Sequence, residues 1–402
     1  MLRFEEAMRQ LLALAPRLAA ERVALDDACG RVLAEPVRAP GDMPAFDYSA
    51  MDGYAVETTS FAGEGPWPLV VRGESRAGDA PGPLSPGCAC RIFTGAPVPV
   101  GADAVVMQER VTREGDLATF ESRPPRLAHI RRRGEDLAAG AIAIEPGTRL
   151  RPGHIALAAS CDRAWLDVTR RPVVTLIGTG DELRAPGSAA VLGLIPESNG
   201  PALRAMAKGA GAYVRVAPFV RDDRVGMVRA FESALHGTDL LVTVGGVSVG
   251  DHDLVRPVLE ELGARIDFWK VAIKPGKPLL VGRRGDAILL GLPGNPTSAM
   301  VTFALFGVPL LRAMQGDVRP TCAPMRAHLS HDITHQPGRL DFVRATVARE
   351  KSGLVATPLS NQASGATTSM AGADALVCIE VDRGNALAGE LVDLLWLHEI
   401  GA

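Results

Sequence analysis

Lys270, Lys274 and Lys277 fall inside one eight-residue stretch, Lys-Val-Ala-Ile-Lys-Pro-Gly-Lys, in a chain with only five lysines among its 43 Lys+Arg residues. An ammonium is a compact point charge that suits a tetrahedral oxyanion or a phosphate, whereas a guanidinium favours planar, bidentate partners. Pro275, Gly276 and Pro278 stiffen the stretch. A solvated basic loop is the plainer reading. A second candidate is Gly245-Gly246-Val247-Ser248-Val249-Gly250-Asp251-His252-Asp253, which follows the apolar run 240–244. Its glycines let backbone N–H groups approach an anion, and a following helix would add its positive end; the alternative is a tight strand-to-helix turn. Asp251 and Asp253 would repel a bare phosphate unless a divalent cation bridged them, and magnesium is the natural bridge. Both could instead cap the helix; Asp251 suits the cap better, which leaves Asp253 for a metal or catalytic role.

Other segments add to this set. Thr179-Gly180-Asp181-Glu182-Leu183 carries two carboxylates, of which Glu182 could ligate a metal, bind a donor-rich ring, or stand in a solvated loop. Leu292-Pro293-Gly294-Asn295-Pro296 is a fixed turn that would aim a helix N-terminus at an anion. Far upstream, Asp52 sits in Ser-Ala-Met-Asp-Gly-Tyr-Ala, by itself an ordinary turn, and Thr94 supplies a hydroxyl at a strand end. Arg131-Arg132-Arg133-Gly134-Glu135-Asp136 reads as a solvated charge run or as the frame of an anion site. His328, His331 and His335 have loose metal-like spacing, but a strand there would turn His328 and His331 to opposite faces, which argues against zinc.

The elements that must hold these residues are legible in outline. Residues 4–20 read as a helix, and the Pro/Gly-rich 36–44 as an extended connector. From 54 to about 127, short apolar runs broken by Gly and Pro predict an all-β module, inserted in a helix-and-strand segment that resumes at 141–166 and packs with the N-terminal helix. Strands at 172–177, 213–218, 239–244 and 287–290 alternate with helices started by Asn199, by Asp222 and Asp223, and by Asp251 and Asp253, which predicts a doubly wound α/β sheet. Ligands of such sheets sit beyond the carboxyl ends of the strands, where the glycine, glutamate and asparagine motifs fall. After Pro320, strands at 327–333, 342–348, 375–380 and 391–395 predict a small C-terminal β domain.

A length of 402 residues implies several domains, and a net charge of −3 argues against wholesale nucleic-acid binding. Cys88 and Cys90 have no second pair to complete a zinc site, so the six cysteines read as reduced, cytosolic thiols. The charged N-terminus lacks the apolar core of a signal peptide. Residues 287–311 run without a charge, but Pro293, Gly294, Asn295 and Pro296 turn the stretch into a buried strand, a turn and a buried helix rather than a membrane span.

Taken in order, the motifs at 49–55, 94–99, 131–136, 179–183, 245–251, 274–278 and 292–296 resemble the molybdopterin molybdenumtransferase family, which includes the C-terminal part of gephyrin. The resemblance spans nearly the whole chain. It implies a multidomain α/β plus β fold: an N-terminal linker and dimerisation domain (1–47 and 139–170), an inserted β module (48–138), a molybdopterin-binding doubly wound α/β domain (171–318) and a small C-terminal β domain (319–402). It implies insertion of molybdate into adenylylated molybdopterin with Mg²⁺-dependent release of AMP. By motif position, Asp52, Thr94, Glu182 and Asp253 would be catalytic, and Glu182, Asp251 and Asp253 would hold the metal. Asp136, Arg131, Gly245, Gly246, Ser248, Gly250, Lys270, Lys274, Lys277, Pro293, Gly294, Asn295, Arg344 and Ser364 would bind substrate, with Arg344, Ser364 and Pro293 at the molybdate. It further implies a cytoplasmic homodimer, in which the Asp52 region of one subunit approaches the α/β domain of the other, and transient contact with the adenylyltransferase and with acceptor molybdoenzymes. Cys161, where the family usually has glycine, and Pro196-Glu197 are departures. The competing readings are an adenylyltransferase, which shares the α/β domain but not the other three, and a gephyrin-like scaffold, which has no need of the carboxylates and lysines.

Overall fold

The computed structural model describes residues 1–247, 254–351 and 353–401. The chain divides into two compact units, one of residues 1–34, 147–151 and 165–402, the other of residues 35–146 and 152–164.

The larger unit is built on a six-stranded sheet in the order Tyr213–Val216, Val173–Gly178, Leu240–Val244, Ala287–Leu292, Pro278–Arg284, Arg265–Lys270. The first four strands run parallel and the last two antiparallel. Each strand buries alternate side chains on opposite faces, so both faces need cover. Val174, Leu176, Leu240 and Val242 pack with helix Asn199–Gly209 and the continuous helical stretch Pro296–Met314. Ile177, Leu241 and Leu289 face helices Arg224–Leu235 and Val255–Glu261. Helix Pro296–Met314 is long and apolar enough to cross a membrane, yet it lies mostly buried in this core.

The N-terminal helix ends at Ala13, short of the expected residue 20, because Pro16 disfavours helical geometry at the residue before it. Residues Ala20–Ala24 form a strand paired with Trp165–Thr169. The stripe of Ala7, Met8 and Leu11 on the N-terminal helix joins the core under the α/β sheet, and Phe4 stacks edge-on against Phe306 and Phe342.

The C-terminal β domain closes on itself. Leu340–Glu350 pairs at one end with Gly353–Pro358 and at the other with Ala375–Ile379, and Met325–Leu329 and Leu391–Trp396 complete the ring. Closure leaves few free edges. One edge of Leu340–Glu350 is taken by Ile273–Lys274, in parallel register, with Lys274 opposite Asp341. The lysine segment is thereby sewn to the β domain.

The smaller unit holds another six-stranded sheet, ordered Ala104–Met107, Gly53–Val56, Cys88–Ile92, Trp67–Ser75, Leu117–Phe120, Val111–Glu114. Tyr54, Phe61 and Phe120 meet edge-on in its core. Helix Pro152–Ser160 belongs to this unit.

Candidate functional site

The central parallel strands end level, Gly178 opposite Val244 and Val244 opposite Leu292. Their following loops therefore meet. Thr179 N–H donates to the Val244 carbonyl (2.8 Å), and Gly245 N–H to the Leu292 carbonyl (3.1 Å). Asn199 Nδ2 holds the Gly294 carbonyl at 2.8 Å. Gly245 has φ +95°, and a Cβ there would lie 2.5 Å from the Thr179 carbonyl oxygen, so only glycine lets the loops approach this closely. Thr179, Gly180, Glu182, Asp222, Gly245, Gly246, Pro293, Gly294 and Asn295 surround a cavity of about 260 Å³. That is below the usual volume for a whole cofactor-sized ligand and suits one part of it.

A second cavity, of about 570 Å³, shares Pro278 with the first. Lys274 and Lys277 line it together with Ser298, Arg339, Asp341, Gln362 and Ser364. Two of the three lysines line this cavity. Lys270 ends an edge strand with its ammonium 4.4 Å from the centre of the Trp269 ring, a cation–π contact, and lies in the lining of neither cavity. Lys274 Nζ is drawn 3.0 Å from Asp341 Oδ2, a carboxylate only 6% exposed. Nor is the helix N-terminus left open, because Thr297 N–H donates to the Ser364 carbonyl (3.1 Å). Asn295 Nδ2 holds the Ser364 hydroxyl at 3.0 Å, which fixes Ser364 at the cavity wall.

Arg344 lies behind the same loop and is fully buried. Its Nη2 donates to the carbonyls of Asn361 (3.1 Å) and Ala363 (3.2 Å), while Nε and Nη1 have no partner among the described residues. Burial pushes the guanidinium pKa down. A buried cation with two idle donors is costly unless an anion meets it.

In the smaller unit, Asp52 Oδ1 accepts from Thr94 N–H (2.8 Å) and from the Thr94 hydroxyl (2.7 Å). Those two bonds, the backbone one first, and the nearby Arg91 hold the Asp52 carboxyl below its usual value. Arg131, Glu135 and Asp136 line a cavity of about 740 Å³ with Asp42 and Tyr48. Two arginines of this run are paired, Arg131 within it to Glu135 (3.1 Å) and Arg133 outside it to Asp42 (2.8 Å).

Asp222, taken from sequence only as a helix cap, lines the glycine-loop cavity, and its neighbour Asp223 caps helix Arg224–Leu235 by accepting from Gly226 N–H (2.7 Å). The signal was available, since one of two adjacent acids suffices for a cap. Ser248, Gly250, Asp251 and Asp253 lie outside the described residues. Among the described residues no group of three metal-binding side chains exists. Glu182 and Asp222 face one cavity, which fits Mg²⁺ held by one or two carboxylates plus substrate phosphate, not an all-protein cage. The histidine triplet is dispersed: the strand stops at Leu329, His328 Nδ1 meets the Gly389 carbonyl, His331 meets Ser330, and His335 is buried.

Residues 2–161 match the family described as MoeA N-terminal region (domain I and II), residues 175–313 a probable molybdopterin binding domain, and residues 326–397 MoeA C-terminal region (domain IV). The molybdopterin molybdenumtransferase of Haemophilus influenzae is 35% identical over 399 residues, 98% of each chain. The chain belongs to the molybdopterin molybdenumtransferase family. The Bacillus subtilis member of this family is likewise 35% identical, over 98% of this chain and 94% of its own. The solved structure of a molybdopterin biosynthesis MoeA protein from Pyrococcus horikoshii OT3 superposes with a TM-score of 0.86 at 28% identity, covering 98% of this chain and 100% of that one. This is the multidomain α/β plus β fold of a molybdopterin molybdenumtransferase, an enzyme family.

Proposed function

We propose that this enzyme of molybdenum cofactor biosynthesis inserts molybdate into adenylylated molybdopterin and releases AMP in a Mg²⁺-dependent step. The observation that carries the reading is the pair of adjoining cavities: a glycine-walled one with two carboxylates, and a basic one with Lys274, Lys277 and Ser364. Gly245 and Gly246 accommodate the phosphate part of the substrate by close backbone approach, and Glu182 and Asp222 would hold the cation, with Asp251 and Asp253 as further candidate ligands from the sequence. Bound there, Mg²⁺ would neutralise phosphoanhydride charge. Molybdate, the other substrate, is taken up beside Ser364 and Arg344, whose idle donors match an oxyanion. Asp52, kept ionised by Thr94, and Asp136 act on the α/β site of a partner subunit in a cytoplasmic homodimer.

The test is AMP release from adenylylated molybdopterin with molybdate and Mg²⁺ each supplied or omitted, coupled to reconstitution of a cofactor-free molybdoenzyme. Release and reconstitution that need both ions are expected. Tight nucleotide binding without turnover would favour the scaffold reading instead.

A further inference from the structure

His335 lies near the basic cavity with a side chain 0% exposed. Its Nδ1 lies 2.9 Å from the Arg383 carbonyl and its Nε2 3.0 Å from the Arg339 carbonyl. A carbonyl oxygen only accepts, so the ring makes both bonds only with hydrogen on both nitrogens, as the imidazolium. Nε2 is also 3.8 Å from Asp341 Oδ1, and the other oxygen of that carboxylate holds Lys274. Arg339, whose carbonyl His335 grips, lines the cavity beside Lys274. Beside the ring, Asn385 Oδ1 accepts from His335 N–H, and the Arg383 guanidinium is paired with Glu390.

We propose that His335 and Asp341 are positioning residues for Lys274, and that the charge on the buried ring sets how firmly Asp341 holds Lys274 back from an oxyanion in the cavity. This rests on the reading of Lys274 as an anion-binding residue. With the ring charged, imidazolium, carboxylate and ammonium sum to +1, and Asp341 divides its charge between two cations. With an uncharged side chain in its place the sum is zero, Asp341 is left to Lys274 alone, and oxyanion affinity falls. The strand register supplies the mechanical half of the device, since Lys274 and Asp341 are direct partners across the Ile273–Lys274 and Leu340–Glu350 pairing.

The experiment uses the full chain at one fixed pH near 7, with molybdate and AMP as separate probes, and measures each dissociation constant by calorimetry. Lys274→Ala identifies which anion Lys274 holds. For that anion, His335→Gln is expected to bind about five-fold more weakly than wild type, the scale of one unit charge acting across roughly 10 Å in a partly solvated site. Asp341→Asn, which releases Lys274, is expected to bind the anion about five-fold more tightly than wild type; a structural role alone would weaken binding. A His335→Gln protein that binds as tightly as wild type, or an Asp341→Asn protein that binds more weakly, overturns the inference. Should Lys274→Ala lose affinity for neither probe, the reading of Lys274 itself falls.

Discussion

Replacing Arg344 with methionine separates the cost of this side chain to the fold from its value to the reaction. The substitution removes two charge-assisted hydrogen bonds, to the carbonyls of Asn361 and Ala363, together worth about 3–6 kcal/mol. It also relieves the burial of a cation that no carboxylate among the described residues pairs with, a penalty of several kcal/mol of opposite sign. The two nearly cancel, so stability should change by no more than about 2 kcal/mol and the unfolding midpoint by roughly 4 °C at most. The loss to function should be large. A single charge 4 Å from the guanidinium at an effective dielectric near 20 gains about 4 kcal/mol, and allowing for desolvation leaves about a hundred-fold in affinity. Molybdate should therefore raise the melting temperature of the wild type and not that of Arg344→Met, and AMP release should fall by about a hundred-fold at subsaturating molybdate. Arg344→Lys keeps the charge but not the fork that spans two carbonyls, and should recover only part of the loss. A methionine variant that binds molybdate and turns over like the wild type would refute the argument. One that fails to fold would show that the guanidinium serves the 361–363 loop alone.

Three further outcomes are expected. Gly245→Ala places a Cβ 2.5 Å from the Thr179 carbonyl oxygen at φ +95°, and should cost about 2–4 kcal/mol by thermal unfolding while abolishing nucleotide binding. Thr94→Val removes the hydroxyl bond that helps to hold the Asp52 carboxyl low, so the acid limb of the AMP-release profile should move to higher pH with the fold intact. At Asp239, burial alone would raise the pKa, but the twin 2.7 Å bonds from Arg170 and the Val173 N–H keep it below the ordinary value. Its stabilisation is thus present above the unfolded pKa, about 4, and lost as pH falls through the lower folded value; Asp239→Asn should cost about 1–2 kcal/mol at pH 7 and flatten that acid loss in chemical denaturation.

The glycine loop and the strands Val173–Gly178, Leu240–Val244 and Ala287–Leu292 were legible because each is an apolar run that ends at or within two residues of a glycine, and strand ends in an open sheet collect ligands whatever their sequence. The antiparallel strands Arg265–Lys270 and Pro278–Arg284 were not, because prolines, glycine and lysines between them read as loop. On the first of these strands Lys270 stands over the Trp269 ring, a contact the sequence did not suggest. Asp341 gave no local signal, and His335 stood out only as a member of a loose metal-like triplet. Their relevance depends on a pairing 67 residues apart in sequence, and a histidine that serves carbonyl oxygens looks the same in sequence as one that binds metal.

The strand order also bears on how the chain is made. Leu240–Val244 has Val173–Gly178 on one side and Ala287–Leu292 on the other, and the Gly245 N–H finds its acceptor only at Leu292. A ribosome delivering residues in order exposes the flank of that central strand until residue 292 has emerged, whereas the partners of the smaller unit are complete by residue 164. The anion loop is therefore shaped late in synthesis, after the inserted unit has had time to fold, and the half-built sheet edge is the segment of the nascent chain most in need of protection from other chains.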